Sequence, residues 1–414
     1  MRLRILGAAL SVVFDSGVSA GERDELRLAW SRCLEEGEEQ ATIDSAVRNS
    51  AVRNSALRNS AVQGGSRRPF RARILAGPAV VPVSGTTFEG FAADLTSALT
   101  LAAIEQRSGQ LLMLHASGLS DPGTGRTAAL VGPSGIGKTT ATRVLARGLG
   151  YVSDETVGVE LSGAVVPYPK PLSVIVDEPP APKRQLGPDA LGLGDTPAQG
   201  SLGALVLLDR ERSPARAGWP AEVRRPAGVS RPAEVSRPAE VRPLSHAEAI
   251  VGLAPHTSSL GKLRHPLQRL CRLLDSCGGA VSAVYGEAED LAAFIPGLLA
   301  RPAVSGRWAP AVVPCPQADD GDLPPGRLNR GDVVDAVEIT VPGAGGTELL
   351  VMVGQRVLRL GGIAPALWRA LRSPARFEDL PTRIAPEVGL PAGYEEALSD
   401  AVELLGDYGV LTRS

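Results

Sequence analysis

Gly132, Pro133, Ser134, Gly135, Ile136, Gly137, Lys138 and Thr139 satisfy every fixed position of G-x-x-x-x-G-K-[ST]. The glycines let the backbone turn successive N–H groups onto phosphate oxygens, and the following helix adds the positive end of its dipole. Lys138 is placed to reach the β- and γ-phosphates, Thr139 to ligate Mg²⁺, and Thr140 completes the expected nucleotide-binding set that runs from Gly132. The implied cofactors are a nucleoside triphosphate, read as ATP with GTP as the alternative, and Mg²⁺. About one helix later come Asp154 and Glu155, at the tip of the next expected strand. A carboxylate there returns to the phosphates, where it can hold Mg²⁺ or take a proton from an attacking hydroxyl. By composition alone the pair reads more simply as a solvated turn.

Other residues carry weaker signals. His115 lies in "LLMLHASGL", beside the strand that feeds the loop; a lone histidine there is more often a satisfied core residue. Asp209 ends "ALVLLD" in the form of a Walker B strand. Lys170 in "PYPKPLS" and the pair Lys183 and Arg184 could neutralise phosphate, although each reads first as a surface cation.

These residues need elements to position them. "LLMLHASGL" and "RTAALVG" flank the turn-rich "SDPGTG" and read as paired strands. "TTATRVLARGLG" reads as the helix after the loop, "TVGVEL" and "AVVPYP" as a hairpin, and "SLGALVLLD" as a buried strand. Residues 1–110 form an N-terminal α/β segment. It has a strand near 4–14, a helix over "GERDELRLAWSRCLEE", an NSAVR repeat as a low-complexity insertion near 45–66, a strand near 72–83 and a helix from Phe88. A central domain spans 111–300, with a proline-rich insertion near 213–243 where regular helix and interior strand are forbidden. Helical segments run from about 245 to 274, then a strand and a closing helix. Residues 301–331 read as a linker and 332–414 as a separate unit of three strands and three helices.

The 414 residues, 43% hydrophobic, suffice for two or three cores, and a net charge of −2 points to neither a nucleic-acid nor a membrane partner. Cys33, Cys271, Cys277 and Cys315 make no CxxC pair, which reads as thiols in a reducing cytoplasm. The N-terminus superficially looks like a secretory signal, but Asp15 interrupts it and a first strand is the simpler reading. A cytoplasmic location is therefore expected.

Taken together, "LLMLHASGL", "VGPSGIGKTT", "GYVSDETV" and "PYPKPLS" resemble the HPr serine kinase/phosphorylase C-terminal fold and its stand-alone relatives. The resemblance runs from about 111 to 175, and more weakly to about 299. It implies an α/β fold with a P-loop nucleotide-binding domain of HPr-kinase type and transfer of a γ-phosphate to a serine hydroxyl. Catalytic roles would fall to Lys138, Asp154 and His115, with Thr139, Asp154 and Glu155 around the metal. It also implies a homo-oligomer. Two departures are plain: Glu155 stands where the family usually has Asp, and the family's glycine-rich substrate segment is absent. The C-terminal unit, with "APALWRAL", "FEDLP" and "YEEALSDAVELLGDYGVL", resembles PqqD-like domains, small α+β winged-helix-like modules that recognise leader peptides. The implied partner is a peptide or protein substrate, a precursor leader peptide among them. A nucleotide-binding regulatory or scaffold protein without transfer, or a small-molecule kinase, would use the same loop.

Overall fold

The computed structural model describes residues 1–35, 69–175, 182–210, 239–311, 326–341 and 347–413. The NSAVR repeat, most of the proline-rich tract and Cys315 lie outside them. The architecture is mixed α/β, with several sheets and helices. It divides into two units: Met1–Val241 with Ser282–Arg301, and Arg242–Val281 with Pro302–Ser414. No helix among the described residues is long and apolar enough to cross a membrane.

In the first unit, β1 (Arg2–Ile5) and β2 (Ala8–Phe14) lead to α1 (Ala20–Ala29). β3 (Phe70–Ala76), β4 (Ala79–Gly85) and α2 (Phe88–Arg107) follow. The four strands form one antiparallel sheet in chain order. Each of the two single strands expected here is a hairpin. The first turns at Leu6 and Gly7, both at positive φ (50° and 77°), the pair that a tight two-residue hairpin turn requires. The helix expected over residues 21–36 stops at Ala29 and ends in a short 3-10 turn, Ser31–Cys33. Strict alternation sends Leu3, Ile5, Leu10, Val12, Phe70 and Ile74 inward. There they meet Phe91, Leu95, Leu99 and Ala103, spaced four apart on α2. Thr87 caps α2 by accepting from Gly90 N–H.

The strands β5 (Leu112–Ser120) and β6 (Arg126–Val131) pair antiparallel, as their patterning predicts. They are followed by α3 (Lys138–Leu145), β7 (Gly150–Ser153), β8 (Thr156–Val159) and β9 (Ala164–Val166), then β10 (Leu172–Ile175), β11 (Lys183–Leu186) and β12 (Gly200–Arg210). β12 lies parallel to β6, while β6–β5, β5–β8 and β8–β9 are antiparallel. β12 then meets β9 through Gly200 and Ser201, so the five strands close on themselves. Burial on both faces explains why β5 and β6 read as near-continuous apolar runs.

In the second unit, Ser245 and Glu248 form a capping box for the helix His246–Leu253. The helix Pro266–Ser276 has no side-chain cap of its own. Its Leu267 and Gln268 N–H groups donate to buried Asp335 Oδ2 at 2.9 and 3.1 Å. This stretch, Arg242–Val281, groups with the C-terminal segment. The strands Trp308–Pro310, Val333–Thr340, Thr347–Val353 and Arg356–Leu360 form an antiparallel sheet in that order. Trp308–Pro310, and also Arg327–Arg330, come from residues expected to be linker. The helices Ala364–Ala370, Leu380–Val388 and Tyr394–Asp407 pack a separate core around Leu349, Val351, Leu367 and Trp368.

Candidate functional site

The glycine-rich loop leaves β6 at Val131 and enters α3 at Lys138. Gly137 caps the helix at φ 102°, a conformation L side chains rarely adopt, and contributes no side-chain hydrogen bond. The first N–H groups of α3 therefore receive no side-chain acceptor from the cap residue. Pro133, Ser134, Gly135 and Thr140 are exposed, Ile136 and Gly137 half-buried, and Gly132 buried. Lys138 is buried, and its Nζ donates to Gly132 O at 2.7 Å and Pro133 O at 3.0 Å, folding the ammonium over its own loop. Burial pushes this lysine below its ordinary value, and the Asp154 and Glu155 carboxylates only partly oppose that.

The acidic pair sits in the bend between β7 and β8. Ser153 Oγ fixes the bend by accepting from Glu155 and Thr156 N–H at 3.3 and 3.2 Å. Thr139 Oγ1 donates to Asp154 Oδ2 at 3.1 Å, so the structure joins two of the three expected metal-site residues. The third, Glu155, has its Oε2 3.2 Å from Lys170 Nζ, the same ammonium that meets Asp154. His115 is half-buried on β5 in register with Thr156, two residues from Asp154. Alternation places it on the face of Ser117, whose Oγ accepts from Thr142 of α3 at 2.7 Å.

Lys170 is the main correction. Far from being a surface cation, it is only 4% exposed. Its Nζ lies 3.2 Å from Asp154 Oδ1 and donates to Pro171 O at 3.1 Å. Burial pushes the Lys170 ammonium down, but Asp154 and Glu155 more than offset it and hold it above its ordinary value. Of the other two basic candidates, Lys183 is exposed and Arg184 pairs with Glu25 at 2.9 Å.

Tyr151 carried no motif signal. Its buried hydroxyl lies 3.3 Å from Asp154 Oδ1 and 3.0 Å from Lys170 O, and burial raises it well above the usual tyrosine value, so it stays a donor. Tyr168 is held the same way, 2.6 Å from Thr100 Oγ1. The only cue in the sequence was the scarcity of aromatics: two of five tyrosines fall within "GYVSDE" and "PYPK". Asp209 is exposed although β12 neighbours β6; the acid that meets Thr139 is Asp154.

A hard, oxygen-seeking cation suits this donor set. With its proton on Asp154, the Thr139 hydroxyl has lone pairs free for a ligand such as Mg²⁺. Among the described residues no group of three or more His, Cys, Asp or Glu forms an all-protein cage. No protein-family model matches the chain, and neither a curated protein nor a solved structure does.

Proposed function

We propose that the chain is an ATP-binding, Mg²⁺-dependent serine kinase of the HPr-kinase-like type. Its first unit would carry a P-loop nucleotide-binding domain and its C-terminal region a PqqD-like, winged-helix-like module. That module captures the peptide or protein to be phosphorylated, as in the maturation of a ribosomal peptide. The observation that carries this reading is the 3.1 Å bond between Thr139 and Asp154, beside Lys138, whose ammonium folds back onto the glycine-rich loop. Lys138 would hold the phosphates, and the Thr139 hydroxyl would help hold a Mg²⁺ ion that offsets their charge. Asp154 orients the metal's ligand and accepts the proton of the attacking serine. His115, across from Thr156 on β5, would border the acceptor side.

A second reading is favoured by one detail. Both Asp154 oxygens are already engaged, Oδ1 by Lys170 and Tyr151 and Oδ2 by Thr139, which weakens Asp154 as a base. A nucleotide-binding switch without transfer needs Asp154 only as a fixed acceptor. Incubation with ATP labelled at the γ-phosphate, Mg²⁺ and precursor peptides encoded beside the gene separates the two. Label on a peptide serine, lost in Asp154→Asn, supports the kinase. Tight nucleotide binding with no labelled acceptor supports the switch.

A further inference from the structure

Two side chains remote in sequence close on the glycine-rich loop beside Lys138. Buried Tyr285 donates its hydroxyl to Ile136 O at 2.9 Å. Arg210, the last residue of β12, lies with its guanidinium 5.9 Å from the Tyr285 ring centroid. Its Nη1 is so close to Gly137 that a Cβ there would stand 3.0 Å from it. The groups that hold Arg210 compensate its charge weakly. Nε donates to the neutral Gly286 carbonyl at 3.1 Å. Nη2 lies 3.7 Å from Glu287 Oε2, on a side chain 57% exposed, and a long exposed pair of this kind contributes little. The Arg210 side chain itself keeps 26% of its surface in solvent. A guanidinium therefore stands at a loop whose backbone is shaped for a polyanion, and its planar fork matches phosphate oxygens better than an ammonium does. Lys170 cannot serve this purpose, because Asp154 and Glu155 already engage it.

We infer that Arg210 is a second phosphate-binding cation of this site, joining Lys138. It would exchange its Glu287 contact for the polyphosphate of a bound nucleoside di- or triphosphate. This rests on the nucleotide-binding reading of the loop. Tyr285 has the separate task of fixing loop shape through Ile136.

The test is a binding titration of the full-length chain with a fluorescent ATP analogue and Mg²⁺, using wild type, Arg210→Gln, Arg210→Lys and Tyr285→Phe. Thermal midpoints are recorded without nucleotide. Arg210→Gln should bind about tenfold more weakly or worse at an unchanged midpoint, as expected for one lost charge-assisted contact. Arg210→Lys should fall between it and wild type, and Tyr285→Phe, which loosens the loop but leaves the guanidinium in place, should lose clearly less than Arg210→Gln. Unchanged binding by Arg210→Gln overturns the inference. So does an equal loss in Tyr285→Phe, because the effect would then be loop shape. A wild-type chain that binds no nucleotide overturns the nucleotide reading itself, and the role of Arg210 with it.

Discussion

Replacing Lys170 by Met should damage the protein more than any exposed lysine change. The side chain is buried, with Asp154 Oδ1 and Glu155 Oε2 each 3.2 Å from Nζ. Removing one partner of a buried ion pair costs about 3–5 kcal/mol, because the other charge stays desolvated and alone. Most of that cost belongs to Asp154, which is buried. Glu155, 37% exposed, can rehydrate, so its part is under about 1 kcal/mol. At about 2–4 °C per kcal/mol for a unit of this size, the thermal midpoint should fall by roughly 10 °C. The assay is a double-mutant cycle in chemical and thermal unfolding. Asp154→Asn placed in the Lys170→Met background removes the stranded charge, so the pair of changes should cost at least about 1.5 kcal/mol less than the sum of the singles. A loss under about 1 kcal/mol for Lys170→Met, or strict additivity, would refute the buried-pair argument.

Four further outcomes follow from the structure. Thr139→Val loses the donor to Asp154 and, on the proposed reading, the oxygen offered to the metal; Mg²⁺ should then no longer tighten nucleotide binding, and a titration with and without the cation checks this. Burial holds Lys138 below its ordinary value and only its protonated form attracts phosphate, so nucleotide affinity should decline with rising pH before the usual lysine range near 10.4 is reached. Flat affinity up to that pH contradicts this. Lys170 has the opposite sign: its folded value is raised, so its stabilisation is complete below about pH 10.4 and lost only as pH climbs through the raised value. An unfolding series from pH 6 to 9 in wild type should show no loss traceable to it. In the second unit, Asp335→Ala leaves two helix N–H groups and the Gln268 amide without their acceptor, which should cost about 2 kcal/mol in denaturant unfolding.

Local signals in the sequence located several elements around the candidate site. The apolar runs before the glycine-rich loop became β5 and β6, and the distance to "SDE" put Asp154 in a bend that returns to Thr139. Lys170 was illegible for a physical reason. Flanked by Pro169 and Pro171, it looks like an exposed loop residue, and the charges that compensate its burial, Asp154 and Glu155, lie about 15 residues upstream. Arg210 and Tyr285 meet the loop only because β12 runs parallel to β6 and the strand Ala280–Tyr285 neighbours β12. No periodicity reports such long-range pairing. The hairpin at Leu6 and Gly7 was hidden for the opposite reason: one lone glycine in an apolar run is a weak turn signal until its φ is known. Trp308–Pro310 looked like linker because it is short and ends in proline, which an edge strand tolerates.

The measurement closest to the kinase reading is mass analysis of a candidate precursor peptide after incubation with the full-length chain, ATP and Mg²⁺, with Lys138→Ala and Asp154→Asn in parallel. One phosphate on a peptide serine with wild type, and none with either variant, is the expected result. Nucleotide hydrolysed or bound while every peptide keeps its mass would contradict transfer to serine.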